Sequence, residues 1–124
     1  MNLVDTSGWI EYFFGGPNAA YFASPIETPN ELIVPVICLY EVFKKVVNVG
    51  NEAQAPQAVA QMKQGSVVDL TEDVALSAAL VSLRHKLPMA DSLILATAQR
   101  RGAILWTQDA HFKGLPSVRY KSTQ

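Results

Sequence analysis

The sequence predicts an α/β fold, a mainly parallel sheet with helices over both faces, and two observations carry that reading. Short apolar runs of strand length alternate with longer stretches of helical periodicity. Strands separated in this way by helices form parallel sheets covered on both sides. With 124 residues and 49% apolar side chains, the chain has material for one core, so residues 1–124 read as a single domain.

Asn2 to Val4 reads as the first strand. Trp9, Ile10, Phe13 and Phe14 then recur at helical spacing, with Thr6 or Ser7 as N-cap and Gly15-Gly16-Pro17 as stop. Residues 18–29 suggest a short helix ended by Pro25 or Pro29, and Leu32-Ile33-Val34 a second strand. Pro35 suits the first turn of a helix running to about Val49 and closed by Gly50. A more polar helix follows over 52–64, with Pro56 near its start, and then the strand Ser66 to Leu70. Thr71-Glu72-Asp73-Val74 is a helix start with acids in the first turn, and Leu76, Leu80 and Leu83 form its apolar face as far as Arg84. After Lys86-Leu87-Pro88, the run Met89 to Ala98 is apolar on nearly all sides and predicts a central helix ended by Gly102. Ala103 to Trp106 reads as a buried strand, Thr107 to Asp109 as its exit, His111-Phe112 as a turn, and Ser117 to Tyr120 as an edge strand. No repeat or low-complexity segment is visible.

The apolar stretch 32–49 is interrupted by Pro35, Glu41, Lys44 and Lys45, short of the ~20 continuous apolar residues that span a membrane. The N-terminus has no basic lead-in and no cleavage-type pattern, so a cytoplasmic protein without membrane contact is expected. Cys38 is alone and set among Val36, Ile37 and Leu39, which excludes an internal disulfide or a thiolate cluster and makes it a core residue. Net charge is −1, but residues 1–41 carry −5 and residues 84–124 carry +5. Neutralising four particular acids would leave +3, compatible with attraction to a phosphate backbone.

Those acids are Asp5, Glu41, Asp91 and Asp109, each set in apolar sequence, where an ionised carboxylate needs a partner or a metal. Asp5 and Asp109 follow strands, and ligands of open α/β sheets bind beyond the carboxyl ends of strands where strand order reverses. Asp91 lies in the first turn of its helix, on the same edge. Each acid also has a local explanation: Asp5 could cap the helix after it, Asp91 could serve a helix dipole, and Asp109 could open the turn at His111. Glu41 has no local partner except Lys44 or Lys45. Four hard oxygen donors without a His or Cys cluster favour Mg²⁺ or Mn²⁺ over Zn²⁺. Such ions activate water and stabilise the transition state of phosphate hydrolysis.

Asp5-Thr6-Ser7 after a first strand, Tyr40-Glu41 in a helix, the segment ADSLILATA over 90–98, and Trp106-Thr107-Gln108-Asp109 with Phe112, in this order and over nearly the whole chain, resemble the PIN domain family and its VapC toxin branch. The ADSLILATA segment is the most specific piece. The resemblance implies a three-layer α/β/α sandwich, a Mg²⁺- or Mn²⁺-dependent endoribonuclease, homodimerisation, and inhibition by a protein antitoxin. It implies Asp5 and Asp91 as principal metal ligands, Glu41 and Asp109 as completing the pocket, and Thr6 and Thr107 as supporting hydroxyls. Where some relatives carry a further acid two positions after the fourth aspartate, this chain has His111, read here as a turn residue within reach of phosphate. His85 reads as part of an exposed basic cluster.

The expected activity is hydrolysis of RNA phosphodiester bonds, with Lys44, Lys45, Arg100 and Arg101 as candidate groove residues and Tyr12 or Tyr40 as base-stacking candidates. The alternative is a non-catalytic PIN-fold module that binds RNA or protein. An aspartyl phosphatase is a further rival, but it would want an acid where Ser7 stands. The helices over 9–14 and 36–49 are candidates for dimer or antitoxin contact.

Overall fold

A computed structural model describes residues 1–124. Its strands are β1 (Asn2–Val4), β2 (Leu32–Pro35), β3 (Ser66–Val68), β4 (Ile104–Thr107) and β5 (Val118–Tyr120). The helices are α1 (Thr6–Phe13), α2 (Ala19–Ile26), α3 (Val36–Asn48), α4 (Ala55–Met62), α5 (Glu72–His85) and α6 (Met89–Arg101). All strands are parallel, in the order β3-β2-β1-β4-β5. The chain moves outward from β1 to β2 to β3, then returns across the sheet to β4. Since such crossovers are right-handed, the outward helices α1–α4 and the return helices α5 and α6 cover opposite faces, which makes the three-layer α/β/α sandwich. The register Leu3↔Ile33 and Leu3↔Leu105 centres β1, whose Leu3 and Val4 are wholly buried. No helix is long and apolar enough to cross a membrane.

Local chemistry accounts for most boundaries. Pro35 ends β2 and starts α3, Pro56 sits in the first turn of α4, and Gly102 closes α6 in the left-handed conformation at φ 62°. Gly8 has no room for a side chain, because a Cβ there would lie 2.6 Å from Val4 and 2.7 Å from Phe22. The polar helix expected over 52–64 divides into a 3₁₀ turn at Glu52–Gln54 and α4, and α2 runs one residue past Pro25. The outer strands are shorter than expected. β3 stops at Val68, short of Leu70, and β5 starts at Val118, because an edge strand has a neighbour on one side only.

Two expectations are corrected. The N-cap of α1 is Asp5 and not Thr6 or Ser7: its side chain accepts the Gly8 N–H at 3.0 Å. In α5 the face turned inward carries Val74, Ala78 and Val81, while Leu76, Leu80 and Leu83 point to solvent. Cys38 is buried, as expected, and its thiol is held in the protonated form chiefly by that burial.

Candidate metal centre

Strand order reverses between β1 and β4, so the crevice beyond their carboxyl ends is where this topology accepts a ligand. Asp5 follows β1 directly, and Asp109 stands two residues beyond β4. Asp91 is in the first turn of α6, and Glu41 is the sixth residue of α3. All four line one open cavity of about 650 Å³.

The four differ sharply in burial. Asp5 is 2% exposed, whereas Glu41, Asp91 and Asp109 are half-buried at the cavity wall. Asp5 is fully engaged on one oxygen: Oδ1 accepts the Gly8 N–H at 3.0 Å and the Ser7 hydroxyl at 2.7 Å. Its Oδ2 accepts the Thr107 hydroxyl at 2.6 Å. A carboxylate offers about four lone-pair sites, so roughly one remains, on Oδ2. Burial nevertheless dominates, raising the Asp5 pKa to about 6 against the three hydrogen bonds that oppose the rise. Asp5 thus does both jobs that its sequence position allowed, capping α1 and facing the cavity.

Asp91 and Asp109 are joined by His111, which the sequence suggests as a turn residue within reach of phosphate and not as their partner. His111 Nδ1 lies 2.8 Å from Asp91 Oδ2 and 3.2 Å from Asp109 Oδ1. Asp109 also caps the 3₁₀ turn Ala110–Phe112, accepting the His111 N–H at 2.9 Å, so the turn reading of Asp109 holds as well. Burial raises the Asp91 pKa, opposed first by the His111 hydrogen bond, and Asp91 in turn raises that of His111. Donor atoms of Asp91, Asp109 and His111 all lie within 4.8 Å of one another.

The two threonines hold carboxylates in place. Thr6 donates to Glu41 Oε1 at 2.5 Å, which supplies the partner that linear sequence did not. Buried Thr107, besides holding Asp5, accepts the Asp109 N–H at 2.9 Å and so ties two acids to the end of β4. Ser7 has a role that sequence reasoning missed. Its hydroxyl donates to Asp5 and accepts the Gln108 N–H at 3.2 Å. The Asp-x-Ser spacing at a helix start is a recognisable signal for such a bond.

Tyr40, Lys44, Lys45 and Asn48 of α3, the helix that also carries Glu41, line the same cavity. Lys44 Nζ lies 5.6 Å over the exposed Tyr40 ring. Arg100 and Arg101 do not line this cavity; Arg100 instead reaches Ser77 at 3.2 Å and Asp73 at 3.7 Å, on α5. Tyr12 is committed elsewhere too, donating to Glu27 at 2.8 Å. Oxygen donors with no thiolate among the lining residues fit a hard divalent cation such as Mg²⁺ or Mn²⁺.

No curated protein sequence matches the chain. Among solved structures it is similar to a toxin–antitoxin complex from Klebsiella pneumoniae, with TM-score 0.79 and 25% identity over 96% of this chain and 96% of that chain. A sarcin-ricin-loop-cleaving VapC toxin of Mycobacterium tuberculosis gives TM-score 0.78 at 18% identity, covering 94% of this chain and 95% of that one. DNA-bound VapBC from Salmonella typhimurium gives TM-score 0.75 at 14% identity, covering 100% of both chains. The last two, at such low identity, speak to fold. The PIN domain profile matches residues 3–117, and on that match, which takes in all four acids, the chain belongs to the PIN domain family.

Proposed function

We propose that this protein is a divalent-metal-dependent endoribonuclease of the cytoplasm, acting as the toxin of a toxin–antitoxin pair. One observation carries the reading: four carboxylates from distant parts of the chain line one cavity at the sheet's switch point, and Lys44 and Lys45 line it with them. Asp91 and Asp109, with Asp5 and Glu41, would hold Mg²⁺ or Mn²⁺. When bound, such an ion neutralises developing charge on phosphate and acidifies water. Thr107 keeps one lone pair of Asp5 turned to the cavity, and Thr6 does the same service for Glu41. Lys44 and Lys45 attract the RNA backbone, and exposed Tyr40 offers a face for an unstacked base. An aspartyl phosphatase is disfavoured, since Ser7 donates a hydrogen bond to Asp5 where that chemistry would place an acid.

The test is incubation of the purified chain with a mixed small-RNA pool in Mg²⁺, in Mn²⁺ and in EDTA. Discrete fragments that need metal are expected. Metal binding without cleavage of any RNA would replace the nuclease by a binding module.

A second copy of the chain is the proposed partner for α5. Leu76, Leu80 and Leu83 are 61–79% exposed along one side of α5, an apolar stripe larger than scattered surface residues. Glu72 opens this helix and Arg84 closes it, so two antiparallel copies about a two-fold axis set acid against base at both ends. Light scattering on the eluting protein should give a dimer mass, and Leu80→Glu a monomer. A wild-type monomer at tens of micromolar would rule the interface out. The helices over 9–14 and 36–49 are left as the proposed antitoxin surface; Phe13, Phe14 and Val46 there line a cleft of about 160 Å³ with Ala58 of α4.

A further inference from the structure

We propose that His111 is itself a ligand of the cation held by Asp91 and Asp109, and that its nitrogen moves the site's preference from Mg²⁺ toward Mn²⁺. The inference rests on the metal-dependent reading above and adds the residue that sets which ion is preferred. Adjacent ligands of an octahedral ion at 2.0–2.1 Å are separated by about 3 Å. The His111 nitrogen stands 2.8 Å from one carboxylate oxygen and 3.2 Å from the other, the separations that two shared edges of such an octahedron require. The three donors come from the first turn of α6 and from the turn after β4, and that turn is stiff. Phe112 anchors it in the core with no exposed surface, and the Asp109 carboxylate clamps the His111 N–H.

The chemistry favours one class of ion. Mg²⁺ is bound through oxygen, and imidazole adds little for it. Affinity for a site with nitrogen rises instead along the transition series from Mn²⁺ onward. Ligation uses the neutral ring. A carboxylate at this position would give a hard all-oxygen site, with more negative charge and no such bias.

The experiment combines calorimetric titration of the full chain with Mn²⁺ and with Mg²⁺ and pulsed electron paramagnetic resonance of the Mn²⁺-loaded protein. It is run on wild type, His111→Ala and His111→Asp, with circular dichroism as a check of folding. Wild type is expected to show coupling of Mn²⁺ to a directly bound ¹⁴N, which both variants lose. The ratio of Mn²⁺ to Mg²⁺ affinity should fall about tenfold or more in His111→Asp. Mn²⁺ binding with no nitrogen coupling and an unchanged ratio would overturn the role of His111 while leaving the metal site standing. Failure of wild type to bind either ion would overturn both.

Discussion

Asp91→Asn is expected to lower RNA cleavage by at least about 10³-fold, with the circular dichroism spectrum and melting cooperativity retained. Asp91 is half-buried at the cavity wall and hydrogen-bonds only through His111, so asparagine preserves the local packing and removes the charge. Asp5→Asn should lose as much. Supporting groups are worth less: outer-shell partners of metal ligands typically carry 10–100-fold, which is the expected loss for Thr107→Val, since that hydroxyl orients Asp5 and Asp109 without reaching the cavity lining. The graded order, with both aspartates well above the threonine, is the informative result. Turnover within tenfold of wild type in Asp91→Asn would remove that residue from the catalytic assignment.

The second large effect is on stability, and it runs in the opposite direction at one of the same residues. Asp5 has its pKa raised to about 6 from an ordinary 3.8, so between pH 4 and 6 the folded state holds more protons than the unfolded one. Stability of the metal-free protein therefore falls as pH rises through that window and stays lower above it. A rise of that size corresponds to a cost on the order of 3 kcal/mol at neutral pH. Asparagine keeps the acceptor for Gly8 and Ser7, and its amide can donate to Thr107 Oγ1, so the charge is what is lost. In EDTA at pH 7.5, Asp5→Asn should melt roughly 5–10 °C above wild type, and the gap should shrink to about a third by pH 4.5 and vanish only below the ordinary carboxylate range. Equal melting temperatures across the range would refute the claim that burial of this charge is unfavourable. A residue whose removal stabilises the fold and abolishes activity is retained for its chemistry.

How far the sequence could be read depends on the range of the interactions involved. Chain breaks at Pro35, Gly50 and Gly102 come from backbone geometry that a single residue imposes, and they stand where expected. The parallel sheet follows from the alternation of strand and helix. The orientation of α5 was not legible in the same way, because Val74, Ala78, Val81 and Leu76, Leu80, Leu83 have identical spacing. The larger leucines look like core, yet close packing of α5 on α6 takes the smaller side chains and leaves the leucines outside.

At the site, all four acids were legible as carboxylates in apolar sequence and do share a cavity, but their burial was not. Glu41 is flanked in sequence by Tyr40 and has Phe43 two residues on, both exposed in the fold, because successive helical residues point about 100° apart. The link from His111 to Asp91 was not legible, for another reason. Its partner Asp91 is 20 residues away, and nothing local to the turn announces a contact that only docking α6 against the end of β4 creates.

The hydrogen bond from Thr107 to Asp5 joins residues 102 positions apart, and the centre of the sheet is made where the first strand meets one of the last. During synthesis Asp5 is made 102 residues before its hydroxyl partner. A nascent chain that stops short of β4 already carries Asp5, Glu41 and Asp91 but has no β4 to align β1, no Thr107 and no Asp109. Its site does not exist. Contacts of such long sequence separation also form slowly, after most of the chain entropy has been lost. The four-acid centre therefore forms only once β4 and the turn after it have been made and have folded against β1.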